Sequence, residues 1–296
     1  MKRLQILNQS SIRLNNHISG LFFGLIKWLS FFGVLVFLGA CSLPAYKLLA
    51  DAEQGYQVVS SGTFKHLWVS NESYDLLNTE NVPVMVFIEG DGVPWEAMNR
   101  IAFEPTPDEP LLLKWFLAAN SPGVYLGRPC YFDLGDDACS AYWFTHGRYS
   151  EPVVTSLITV LKKKIHNRDI ILVGHSGGAA LAMLVAGHLK QVKAVVTIAG
   201  NLNVKAWVEH HRYSDLTGSL DPGAMPGLTC NIEQVHYYSS SDSVIQAKWL
   251  RAFSASQCNS SLIELPVKGH DQAWEEFQGL IMENLRSISA KLTQEK

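Results

Sequence analysis

Residues 169–184 read Asp169-Ile170-Ile171-Leu172-Val173-Gly174-His175-Ser176-Gly177-Gly178-Ala179-Ala180-Leu181-Ala182-Met183-Leu184. An apolar, β-branched run is followed by small residues of high helix propensity. The pattern predicts a strand, a sharp turn and a helix, with Ser176 at the turn. Glycines two before and two after the serine let the backbone pass close at a strained corner. Such a corner lifts the hydroxyl out of the sheet. The helix behind it begins with unbonded N–H groups that suit a developing oxyanion. A plain Gly/Ser turn at a helix start is the competing reading. It does not require this context.

Further strands are predicted on either side of this unit. Tyr56–Ser60 and Phe64–Ser70, split by Ser61-Gly62-Thr63, read as a hairpin. Val82–Ile88 is an apolar strand that ends in Glu89-Gly90-Asp91-Gly92. Asp108–Ala119 reads as a helix with Pro110 in its first turn. Val124–Leu126 is a strand, and Ser150 is expected to cap the helix Glu151–Ile165. Ala194–Ile198, Asn231–Tyr238 and Leu262–Val267 are strands; Val244–Ala255 and Asp271–Leu292 are helices. Strands alternating with helices imply an α/β fold with a mostly parallel central sheet and helices on both faces. The strand–Gly-x-Ser-x-Gly–helix unit in this setting resembles the nucleophile elbow of the α/β-hydrolase superfamily. Residues 56–296 are therefore expected to form a single domain of that fold.

A serine hydroxyl needs an adjacent base, itself oriented by an acid. The resemblance implies the chain order Ser, then Asp or Glu, then His. Five histidines follow Ser176. His188 lies within the elbow helix, His210 and His211 in a variable segment, and His236 in mid-strand. His270, in Lys268-Gly269-His270-Asp271, follows the final strand at the edge where the elbow opens. Asp242, in Ser239-Ser240-Ser241-Asp242-Ser243, occupies the place of the superfamily's acid; capping of the next helix is its other reading. The expected catalytic set is Ser176, Asp242 and His270. The oxyanion hole needs two backbone donors, expected from Gly177 and Asp91, with Gly92 as the alternative to Asp91. Many superfamily members carry His-Gly after the strand that here ends at Ile88, where this chain has Glu89-Gly90 followed by Asp91. A carboxylate near an oxyanion is repulsive unless it points away.

The amino end carries a second signal. Residues 1–40 hold Lys2, Arg3, Arg13 and Lys27 and no acid, and an apolar stretch runs from Trp28 to Ala40. It ends in Leu38-Gly39-Ala40-Cys41-Ser42, which is similar to the lipobox of bacterial lipoproteins. The resemblance implies a signal peptide over 1–40, lipid on Cys41, a tether over 41–55 and a place in the cell envelope. Ser42 after the cysteine suggests the outer membrane, facing the periplasm. An uncleaved membrane span is the competing reading, and Lys27 in its middle disfavours it.

Four cysteines remain, an even number in an oxidising compartment. Proximity favours Cys130 with Cys139, and Cys230 is then expected to pair with Cys258, both preceding predicted parallel strands; four buried free thiols are the competing reading. The loop Cys130–Ser150 holds six aromatics, which line a pocket or form a satellite core. Loss of 1–40 takes the formal charge from −3 to −7, so nothing favours nucleic-acid binding. No metal motif or phosphate-binding glycine loop is present, and no cofactor is expected. These readings converge on a membrane-anchored serine hydrolase acting on a small-molecule, lipid or peptide acyl substrate. A peptidase of envelope peptides and a non-catalytic envelope lipoprotein that reuses the fold are the alternatives.

Overall fold

The computed structural model describes residues 44–51, 55–76, 81–97 and 100–295. The export signal read in residues 1–40, and Cys41, lie outside the described residues. Among the described residues no helix is long and apolar enough to cross a membrane.

The strands are β1 (Tyr56–Ser60), β2 (Lys65–Ser70), β3 (Val84–Ile88), β4 (Trp95–Ala97), β5 (Arg100–Ile101), β6 (Gly123–Leu126), β7 (Ile170–His175), β8 (Val192–Ile198), β9 (Glu233–Tyr238) and β10 (Ser260–Glu264). The helices are α1 (Pro44–Asp51), α2 (Glu72–Leu76), α3 (Leu111–Leu117), α4 (Glu151–Ile165), α5 (Gly177–Ala186), α6 (Val204–His211), α7 (Ala247–Ala255) and α8 (Gln278–Gln294). Eight strands form one sheet in the order β1-β2-β6-β3-β7-β8-β9-β10, and β4 and β5 make a separate ribbon. From β6 to β10 every pairing is parallel; β2 joins β6, and β1 joins β2, antiparallel.

The apolar runs β3 and β7 form central strands because both of their faces can be covered. Along β3, Val84, Val86 and Ile88 enter one core with α4, α5 and α7. Met85 and Phe87 enter the other, with α1, α3 and α8. This two-residue alternation fixes the register, since a slip of one residue would exchange the two sets. It also brings the carboxyl ends of β3, β7, β8 and β9 to one edge.

Several expectations are met and some are corrected. The disulfides are Cys130–Cys139 and Cys230–Cys258. Ser150 stands at the start of α4, but its hydroxyl does not cap the helix; Oγ is buried without a partner among the described residues. Glu151 and Pro152 in the first turn suit the helix start instead, through charge and a pre-set φ. Part of the stretch read as a tether is α1, which buries Ala45 and Leu49 in the second core. In the Cys130–Ser150 loop the core reading holds for Tyr131, Phe132, Phe144 and Tyr149, all buried. Tyr142 is exposed.

Candidate active site

The turn after β7 has the strained geometry its sequence implies. Ser176 takes φ 50° and ψ −116°, an uncommon conformation for a residue with a side chain. Its N–H donates to Ile198 O at 3.0 Å, and its carbonyl accepts from Asn201 N at 3.0 Å. These bonds to the β8 end hold the corner. Gly178 is required by close packing: a Cβ there would stand 2.2 Å from Ile88 O.

Asp242 lies past the end of β9 and is buried. Its Oδ1 accepts the Val244 N–H at 2.8 Å and the Ile245 N–H at 3.0 Å. These bonds fix the turn ahead of α7 and leave Oδ2 for another donor. That donor is His270 Nδ1, at 2.8 Å. Gly269, at φ 131°, turns the chain after β10 so that the ring faces the elbow. His270 Nε2 then lies 2.8 Å from Ser176 Oγ. The three residues, separated by up to 94 positions in the chain, form a continuous hydrogen-bonded line. In this arrangement the imidazole can take the hydroxyl proton while the carboxylate holds the ring and balances its charge.

The other histidines are elsewhere. His210 faces Gln246, His211 Nε2 donates to Val244 O, and His236 is buried against Thr197. His188 lies just beyond α5. An apolar cavity of about 250 Å³, lined by Met183, Leu228 and Phe253 among others, opens at the far end of α5 and takes no part in this site.

Reading the sequence missed the role of His175. It is buried, its Nε2 donates to His270 O at 3.1 Å, and its ring lies 5.4 Å from the His270 ring. Burial disfavours its charged form, but Glu89, Asp271 and the His270 carbonyl outweigh that and raise its pKa above the ordinary histidine value. Glu89 is also buried. Its Oε2 accepts the N–H groups of Leu112 and Leu113 at the start of α3, and its Oε1 accepts from Gly90 N. His175, His270 and Asp271 bring potential metal-ligating atoms within 4.8 Å of one another. Both His270 nitrogens and His175 Nε2 already have partners.

Asp91 does not point away from the elbow. A Cβ on Gly177 would lie 2.1 Å from Asp91 Oδ1 and 2.5 Å from Tyr149 Oη. The carboxylate is instead neutralised in place. Oδ1 accepts from Arg128 Nη1 at 2.6 Å; Oδ2 accepts from Arg148 Nη1 at 3.0 Å and Tyr149 Oη at 2.5 Å. Burial alone would raise the Asp91 pKa, but Arg148 and Arg128 outweigh it and hold the carboxyl well below the usual range. The N–H groups of Asp91 and Gly177 have no acceptor among the described residues. Two acids in a turn with no basic neighbour were the signal that partners had to come from distant parts of the chain.

The family described as BAAT / Acyl-CoA thioester hydrolase C terminal matches residues 154–268, which include Ser176 and Asp242. Among solved structures the chain resembles lip1 from Acinetobacter baumannii AYE, at 12% identity and a TM-score of 0.57, over 87% of this chain and 98% of that one. It resembles Est1E from Butyrivibrio proteoclasticus at 16% identity and TM-score 0.50, over 81% and 98%. A serine hydrolase homologue from Coxiella burnetii aligns at 14% identity and TM-score 0.53, over 78% and 97%. The fold is the α/β-hydrolase fold. No curated protein matches the chain by sequence. Ser176, Asp242 and His270 meet at the carboxyl edge of the sheet, the edge at which open α/β sheets bind ligands.

Proposed function

We propose that the chain is a serine hydrolase that cleaves acyl bonds, with carboxylic esters as its main substrates. The observation that carries this is the line Ser176 Oγ–His270 Nε2 and His270 Nδ1–Asp242 Oδ2, both links at 2.8 Å. Ser176 Oγ attacks the acyl carbonyl as its proton passes to His270 Nε2. The resulting oxyanion is met by the N–H groups of Gly177 and Asp91. His270 returns the proton to the leaving oxygen or sulfur as the carbon–heteroatom bond breaks. Water, deprotonated by the same imidazole, then releases the acid from Ser176. The matched family adds thioesters to the substrate panel. Lipidation of Cys41 would hold the enzyme at an envelope membrane, within reach of lipid or small-molecule acyl substrates.

The test is a fluorophosphonate probe on purified protein, with a panel of acyl esters, thioesters and amides. Wild type should be labelled covalently, and Ser176→Ala should not. His270→Ala and Asp242→Asn should lose roughly 10³–10⁴-fold in turnover, about 4–5.5 kcal/mol of transition-state stabilisation. His210→Ala and His211→Ala should change it little. A preference for amides would point to a peptidase. A folded wild type that neither labels nor turns over any substrate would be a binding lipoprotein.

A further inference from the structure

We propose that Asp91 is the positioning residue of the oxyanion hole, and that its two arginines leave one net positive charge beside the developing oxyanion. The inference rests on the Ser176 reading above.

The turn that carries Asp91 is flanked by Gly90 and Gly92, the latter at φ 62°, so its backbone is intrinsically soft. Four side chains hold it. Arg128, Arg148 and Tyr149 bind the carboxylate, and Tyr131 Oη donates to the Asp91 carbonyl at 2.9 Å. The donors are themselves held. Arg148 Nε donates to Thr145 O at 2.6 Å, and the Arg128 guanidinium lies 4.9 Å from the centre of the Tyr131 ring. The carboxylate they fix packs directly on Gly177. The two N–H groups assigned to the hole therefore belong to residues locked against each other. Donors that need not reorganise are what an oxyanion hole requires.

The charge balance points the same way. One carboxylate faces two guanidiniums whose side chains are only 2% and 6% exposed. Asp91 is the only carboxylate paired with either arginine among the described residues. A structural ion pair needs one arginine. A second buried guanidinium without its own carboxylate carries a desolvation cost and leaves the cluster with an uncompensated positive charge. The excess charge is explained if an anion forms next to it during turnover. There it offsets the negative charge of Asp91.

The experiment uses full-length protein in detergent. It measures kcat, KM and fluorophosphonate labelling rate, with circular dichroism to verify folding. Arg148→Met should lower kcat and the labelling rate roughly 10- to 100-fold and leave KM within about two-fold. Arg148→Lys should recover most of that loss, because it restores the charge. Asp91→Asn should lose more than Arg148→Met although it makes the cluster more positive, because the turn is released. If Arg148→Met does not fold, Tyr149→Phe carries the test: kcat should fall several-fold at constant KM. Retained kcat in either variant, a loss confined to KM, or a Lys variant no better than Met overturns the proposal. Labelling of wild type that disappears in Ser176→Ala separates these outcomes from failure of the nucleophile assignment.

Discussion

His175, the residue before the nucleophile, donates its Nε2–H to the backbone carbonyl of His270 at 3.1 Å. The elbow thus holds the histidine loop as well as presenting the serine. The other side of the His175 ring faces Glu89 Oε1 at 3.8 Å, so the end of β3, the elbow and the His270 loop are joined through one imidazole. Truncation to His175→Ala should leave a folded protein whose kcat falls about 10-fold or more with little change in KM, because a loosely held base spends less time in line with Ser176. Steady-state kinetics beside a thermal melt checks this. An unchanged kcat would show that the contact is incidental.

Gly177 is predicted to be irreplaceable for turnover. A methyl there would stand 2.1 Å from Asp91 Oδ1 and 2.5 Å from Tyr149 Oη, which forces the clamp off the elbow. Gly177→Ala should lose at least 100-fold in kcat. At Gly187, at the other end of α5, the nearest atom to an added methyl is 3.6 Å away and the backbone is right-handed helical. Gly187→Ala should therefore keep activity and gain a few tenths to 1 kcal/mol. Parallel assays and melts of the two variants test the contrast.

Two buried histidines should make the protein acid-sensitive. Burial lowers the His66 and His236 pKa values to about 4. His66 Nδ1–H donates to Gly127 O, and its Nε2 has no partner among the described residues. Both rings are neutral in the fold and gain protons more readily when unfolded. Their stabilising contribution is complete above pH ~6.5 and is lost as pH falls toward 4, on the order of 3 kcal/mol for each. His175 acts in the opposite sense. Its raised pKa contributes stability below pH ~6.5 that is lost as pH rises through the folded value. Urea melts at pH 7.5 and 4.5 should show the loss in wild type and a smaller loss in His66→Gln. An equal loss in that variant would assign the acid sensitivity to other groups.

The disulfides should contribute unequally. They close separations of 9 and 28 residues, which the loop-entropy relation converts to about 2.6 and about 3.6 kcal/mol. Cys130→Ala/Cys139→Ala should cost less stability but more activity, since that bridge lies two residues from Arg128. Cys230→Ala/Cys258→Ala should mainly lower the melting temperature, because it ties together the starts of β9 and β10 at the edge away from Ser176. The reverse pattern would separate the first bridge from the Asp91 clamp.

The sequence by itself showed the strand–turn–helix of the elbow and the two-faced parallel sheet, while the serine–aspartate–histidine order came from the resemblance to the α/β-hydrolase superfamily. The elbow and the sheet are local or periodic properties. A glycine-flanked serine between a strand pattern and a helix pattern specifies its own turn, and alternating apolar residues specify which faces are buried. It also showed that Glu89 and Asp91 stand where an oxyanion loop was expected. What became of those two carboxylates only the tertiary structure decided. Their partners, Arg128 and Arg148 for one and the start of α3 with His175 for the other, lie 23 to 86 positions away. They converge only because parallel strands return to the same edge. The idle hydroxyl of Ser150 was hidden for the same reason. Local pattern can propose a cap, but packing decides whether the side chain can turn toward it.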